Sequence, residues 1–231
     1  MGQLRLSQVV KAASRLLDER AERAPTGIGR LDLLLAGGFP KGKISEVAGE
    51  PSSGKTSVVF STLSQATFRG EPIAYIDSFD VFDPLSAAQA GIELDRLLWV
   101  RCGASLEKAS VAADIAIRSG SFGVVALDLA APDEGRRHVG RARIPAHNWF
   151  RFKQALEGSK TALVAITLIP TAGSAAALVV NLQRTQTRWR PEQPDTPRQS
   201  LRRPGFFKGL VFEAGISRGK GHGCVTLHCD L

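Results

Sequence analysis

The chain has 231 residues, 43% of them hydrophobic, with 30 Lys and Arg against 22 Asp and Glu and a formal net charge of +8. That length and apolar content support one α/β domain with a core of its own. No stretch approaches the ~20 uncharged apolar residues of a membrane helix, and the N-terminal MGQLRLSQVVKAASR lacks the apolar core and cleavage site of a signal peptide, so the expectation is a cytoplasmic protein.

In chain order, Leu6, Val9, Val10, Ala13, Leu16 and Leu17 fall at helical spacing and predict an amphipathic helix over residues 1–24, ending before Pro25. From Lys43 onward, apolar runs alternate with helical patterns. ISEVA, PIAYID, LLWV, FGVVALD and TALVAITL read as strands; KTSVVFSTLSQATF, LEKASVAADIAIR and NWFRFKQALEG read as the helices between them. Such alternation means βαβ crossovers and a mostly parallel sheet, and the unbroken apolar runs suit strands covered on both faces. AALVVNLQ, GLVFEAGI and GCVTLHC follow without long helices between them. The last two flank the glycine-rich turn SRGKGHG, which predicts a C-terminal antiparallel hairpin. Between them the chain is basic: from Arg184 to Lys208 it carries seven Lys and Arg against Glu192 and Asp195, with several prolines. That composition predicts an irregular loop over 184–208, bounded by a core over 25–183 and the hairpin over 209–231. Cys102, Cys224 and Cys229 cannot all pair, and they read as reduced thiols.

The sharpest motif is GEPSSGKT: Gly49, Glu50, Pro51, Ser52, Ser53, Gly54, Lys55 and Thr56 complete a G-x-x-x-x-G-K-[ST] pattern. It follows a predicted strand and opens a predicted helix, the context in which such a loop binds phosphates. Two glycines let the backbone wrap, successive N–H groups turn inward, and the helix N-terminus adds partial positive charge. Lys55 is expected to reach the β and γ phosphates, and Thr56 to offer its hydroxyl to Mg²⁺. Asp128, at the end of FGVVALD, stands where a second metal-holding carboxylate would emerge from the sheet. The expected ligands are ATP or ADP with Mg²⁺.

TGIGRLDLLLAGGFPKGKISEVAGEPSSGKT, IAYIDSFDVFDPLSAAQAGIELDRLLWV and FGVVALDLAA together resemble the core of the RecA recombinases, over roughly residues 25–183. Within that family the chain looks most like the ImuA-type accessory proteins of bacterial DNA-damage mutagenesis. The resemblance implies a RecA-like P-loop fold and, as partners, RecA, a Y-family-like mutagenesis protein and an error-prone replicative-type polymerase. Three departures stand out. Recombinases place a water-activating glutamate two residues after the aspartate matching Asp77; here that position is Phe79, and a phenyl ring cannot accept a proton. Asp80 lies one residue on and has a shorter reach. By the same resemblance a γ-phosphate-sensing glutamine is expected at the end of the TALVAITLIP strand, where this chain has Leu168, whose side chain forms no hydrogen bond; only TAGSA then stands in place of the long DNA-gripping loop. The sequence also stops soon after the hairpin, so a recombinase's separate C-terminal domain is not expected.

Weak or absent ATP hydrolysis is therefore expected; the alternatives are an active DNA-dependent ATPase or recombinase paralogue and a scaffold with an empty P-loop. Asp77 and Asp83 in AYIDSFDVFDP read as strand-end and helix-start residues rather than as a metal cluster. Arg136, Arg137, Arg141 and Arg143 occupy the first DNA-facing loop by resemblance, and phosphate contacts there would weaken with salt. Trp189 between Arg188 and Arg190, with Phe206 and Phe207 before Lys208, suits stacking on single-stranded bases. By the same resemblance, Arg218 and Lys220 are candidates for touching a nucleotide held by a neighbouring subunit.

Overall fold

A computed structural model gives the fold, and it describes residues 22–130, 143–190, 206–219 and 223–230. The N-terminal helix expected over 1–24 lies outside these residues, apart from a two-residue strand, β1 (Arg23–Ala24), paired antiparallel with β2 (Phe39–Pro40). Between them runs a short helix, α1 (Gly29–Leu34). The TGIGRLD segment is held by its own carboxylate: Asp32 accepts hydrogen bonds from Thr26 N at 2.7 Å, Thr26 Oγ1 at 2.8 Å and Gly27 N at 3.1 Å.

The body is an eight-stranded sheet in the order β10-β9-β8-β3-β7-β6-β4-β5. Its strands are β3 (Ile44–Gly49), β4 (Ile73–Asp77), β5 (Leu97–Arg101), β6 (Val124–Asp128), β7 (Ala162–Thr167), β8 (Ala176–Arg190), β9 (Phe206–Arg218) and β10 (Cys224–Asp230). The six strands from β8 to β5 run parallel, and β9 and β10 join antiparallel at one edge. The helices are α2 (Lys55–Phe68), α3 (Pro84–Gln89), α4 (Leu106–Ser119) and α5 (Ala146–Leu156). The mostly parallel α/β architecture and the terminal antiparallel strands are those expected from the sequence.

Side-chain alternation sorts the core into two layers. Ile73 and Tyr75 of β4, Val124 and Ala126 of β6, and Val164 of β7 face α2. Ala74 and Ile76, Val125 and Leu127, and Leu163 and Ala165 face α4 and α5, where Trp149 and Phe152 meet edge to face with ring centroids 5.8 Å apart. All five residues of β4 and of β6 are buried, so neither strand shows the polar alternation of a half-exposed sheet.

One boundary differs from the expectation. Arg184–Arg190, read as the start of a loop, continue β8 and pair with β9 from Phe212 back to Phe206. Proline content drew the boundary too early: the prolines begin only at Pro191, and RTQTRWR before them is compatible with a ladder, including a bulge between Arg184 and Gln186. Among the described residues, no helix is long and apolar enough to cross a membrane.

Candidate nucleotide-binding site

The parallel order puts the C-terminal ends of β3, β6, β4 and β7 on one edge of the sheet. There β3 turns into the P-loop and then into α2. Gly49 and Gly54 are both dictated by space, and Gly54 by conformation as well. A Cβ on Gly49 would lie 2.4 Å from the Leu182 carbonyl oxygen of β8 and 2.5 Å from Ser53 Oγ. Gly54 caps α2 at φ +86°, and a Cβ there would meet the Phe212 ring of β9 at 2.7 Å. Ser52 also has positive φ, at 59°. The loop is closed by Ser53 N donating to Glu50 O at 3.2 Å. Lys55 is buried, its Nζ donating to Glu50 O at 3.2 Å, and Thr56 is exposed in the first turn of α2. Ser53 is buried, and its hydroxyl has no hydrogen-bond partner among the described residues. A backbone turned to aim N–H groups at the start of a 14-residue helix, with a lysine folded into the loop, fits a phosphate group.

Asp128 closes the other side. It is 4% exposed; Oδ2 accepts from the Tyr75 hydroxyl at 2.6 Å and Oδ1 from Ala130 N at 2.9 Å. Burial is the largest influence on its carboxyl and pushes it up to about 6, with Asp77 acting in the same sense. The Tyr75 and Ala130 hydrogen bonds and the nearby Lys55 charge act against that rise. Burial also raises the Tyr75 phenol far above its usual range. Lys55, Thr56 and Asp128 converge on one cavity of about 240 Å³. A lysine, a hydroxyl and a carboxylate on a single cavity are a donor set suited to a nucleotide phosphate with Mg²⁺.

The remaining wall of that cavity is apolar: Pro51, Phe60, Val81, Phe82, Ala130 and Leu168, with the Tyr75 ring. Leu168 thus borders the cavity, as its place after β7 led one to expect. Phe79 is half-buried and does not line it; Val81 and Phe82 fill that side instead. Phe82 anchors an aromatic cluster, with ring centroids 4.6 Å from Tyr75, 5.6 Å from Phe60 and 5.2 Å from Trp99. Asp80 turns away at φ +57°, and its carboxylate accepts from Arg101 Nη2 at 3.4 Å. Arg101 in turn lies over the Trp99 ring, 5.3 Å from its centroid.

Asp77 and Asp83 of AYIDSFDVFDP serve the backbone. Asp77 accepts from Val81 N and Phe82 N at 3.0 Å each and from Trp99 Nε1 at 3.2 Å. Asp83 caps α3, accepting from Leu85 N, Ser86 N and Ser86 Oγ, with Pro84 at the first helical position. The Ser86 hydroxyl is the first cause that holds its carboxyl below the usual range. Reading residues one at a time missed Tyr75, Val81 and Phe82 as parts of the site. A hint was present: a tyrosine inside a fully buried strand needs a partner for its hydroxyl. The partner was not nameable until β6 was seen to lie beside β4 with Tyr75 opposite Ala126 and Asp77 opposite Asp128.

Of the arginines assigned to a DNA-facing loop, Arg136, Arg137 and Arg141 lie outside the described residues, and Arg143 is exposed. Arg143 borders a groove of about 560 Å³ between α4 and α5, with His147 and Arg151. Arg218 donates to the Gly173 carbonyl in the β7–β8 connection, and Lys220 lies outside the described residues. The backbone of Arg188–Arg190 and Phe206–Lys208 is strand. Among the described residues, no group of three or more His, Cys, Asp or Glu side chains forms a metal site.

A parallel sheet that carries a P-loop at its centre and a carboxylate on the same edge defines the P-loop class of α/β folds. The RecA N-terminal domain family matches residues 7–167, and the chain belongs to that family. Among relatives, it is 37% identical over 124 residues to Protein RecA of Xylella fastidiosa strain M23, covering 53% of this chain and 35% of that one. It is 33% identical over 163 residues to Protein RecA of Bacillus pumilus, covering 66% of this chain and 47% of that one. It therefore spans half or less of the length of these curated relatives. A solved structure, the crystal structure of the RadB recombinase, shares its fold with a TM-score of 0.60 at 16% identity, covering 90% of this chain and 95% of that one.

Proposed function

We propose that this chain is a nucleotide-binding accessory member of the RecA family, an ImuA-type protein of the bacterial DNA-damage (SOS) mutagenesis response. It holds ATP or ADP with Mg²⁺ through the P-loop, Lys55, Thr56 and Asp128, and it hydrolyses the nucleotide slowly or not at all. The observation that carries this reading is the two-sided cavity: Lys55, Thr56 and Asp128 on one side, and Val81, Phe82 and Leu168 on the other. Phosphate and metal would find charge and hydrogen bonds there. The carboxylate that lines the cavity, Asp128, is on this reading committed to Mg²⁺, and Asp80 faces Arg101, which leaves an attacking water without a dedicated base; general-base help of that kind is worth ~10²–10⁴-fold. Its partners, on this reading, are RecA itself, a Y-family-like mutagenesis protein and an error-prone replicative-type polymerase. DNA contact through Arg136, Arg137, Arg141 and Arg143 belongs to the same proposal. Retention of the RecA core, with a short β7–β8 connection in place of a long DNA-gripping loop, suits a protein that modulates or caps a RecA assembly.

The test is a RecA pull-down with and without nucleotide and single-stranded DNA, joined to a turnover assay. Saturable nucleotide binding lost in Lys55→Ala, turnover near background, and a change in RecA's ATPase or strand exchange are expected. Robust DNA-stimulated turnover that Lys55→Ala abolishes would point to the active-ATPase alternative, and its loss in Asp80→Asn would identify a displaced base. No effect on RecA overturns the modulator role.

A further inference from the structure

Tyr75 is the chain's one tyrosine, 1% exposed in the middle of β4. A phenylalanine would fill the same space against Phe60 and Phe82, so the hydroxyl is what distinguishes the residue. That hydroxyl donates to Asp128 Oδ2 at 2.6 Å, within the short range of charge-assisted bonds. Ala130 N donates to Oδ1 at 2.9 Å. An ionised carboxylate has about four lone-pair sites, so both oxygens are oriented while each keeps acceptor capacity toward the cavity shared with Lys55 and Thr56. The ring is itself held, 4.6 Å from Phe82 and edge-on to Phe60 at 6.0 Å. Phe82 in turn is fixed through its backbone N–H to Asp77 Oδ2 at 3.0 Å. The carboxylate is thus tied, through one hydroxyl and the ring that bears it, to Phe82, which lines the cavity with Val81.

We infer that Tyr75 is the positioning residue for Asp128: its hydroxyl holds the carboxylate in the orientation that receives Mg²⁺, and so sets the Mg²⁺-dependent share of nucleotide affinity. The inference rests on the nucleotide reading above. Partners of metal ligands in this position are worth about 10–100-fold in metal affinity, with no contact to the nucleotide needed.

Tyr75→Phe removes the hydroxyl and keeps the ring. A fluorescent ADP analogue is titrated into wild type and variant, in Mg²⁺ and in EDTA. The variant is expected to keep its affinity in EDTA and to lose about 10-fold or more of the affinity measured in Mg²⁺. Equal affinities for the two proteins under both conditions overturn the inference and leave the nucleotide reading standing. An equal loss in Mg²⁺ and EDTA marks a merely structural role and overturns it too. A wild type with no saturable binding in either condition removes the nucleotide reading and this inference together. A second measurement does not depend on the variant folding: 3-fluorotyrosine gives wild type a single ¹⁹F resonance. That resonance is expected to move when ADP is added with Mg²⁺ and to move less with ADP in EDTA; a resonance unmoved at saturation overturns the inference.

Discussion

The two sides of the cavity are built by different means. The phosphate side is backbone and charge: a loop whose glycines are required by a Leu182 carbonyl and a Phe212 ring, one lysine, one hydroxyl and one buried carboxylate. The opposite side is side-chain volume, with Phe82 at its centre, touching Phe60, Tyr75 and Trp99. The first kind of construction serves a ligand and tolerates little change of shape. The second serves the core, and it lines the cavity with side chains that carry no proton-accepting group.

Substitutions that act on one side and spare the other sharpen that contrast. Phe82→Ala should have the largest effect, about 3–5 kcal/mol of lost unfolding free energy by chemical denaturation, because it opens a cavity among three aromatic rings. The contrast fails if Phe82→Ala leaves stability intact. Asp128→Asn separates charge from shape. The folded carboxyl is raised to about 6 from an ordinary 3.8, so between those values the folded protein binds more protons than the unfolded chain, and stability falls as pH rises. In metal-free buffer the variant should therefore gain on wild type from pH 4 to pH 7, by roughly 2 kcal/mol, followed as the difference in denaturation midpoint. A pH-independent difference would place the rise elsewhere.

Gly54→Ala tests the phosphate side directly. Positive φ and the Phe212 ring both oppose a methyl group, so about 2 kcal/mol of stability should go, together with nucleotide binding. Pairing it with Phe212→Ala should return part of the stability and little of the binding. The smallest expected change is Trp99→Phe, which removes one of three hydrogen bonds to Asp77. About 1 kcal/mol is the ordinary scale for such a bond, read by thermal unfolding.

Helix α2 was legible to the residue, since KTSVVFSTLSQATF is the segment Lys55–Phe68. The P-loop and Asp128 were legible because glycine, lysine and a strand-final acid are tied to local backbone geometry. Arg184–Arg190 were misread because a strand that pairs along one side carries no strong hydrophobic signal. Phe79 was singled out for its lack of proton-accepting chemistry, yet Val81 and Phe82 are the residues of that stretch that line the cavity, because Asp77 gathers the backbone N–H groups of both and pulls that turn over the site.

What the sequence by itself determined is the parallel α/β plan and the P-loop motif, written in short-range periodicity and spacing, and, through its resemblance to the RecA core, the family. What only the tertiary structure decided is the company Asp128 keeps. Strand order places Tyr75 and Asp128, 53 residues apart in the chain, within one hydrogen bond of each other. No local pattern encodes that meeting, because it depends on β4 and β6 being neighbours in the sheet.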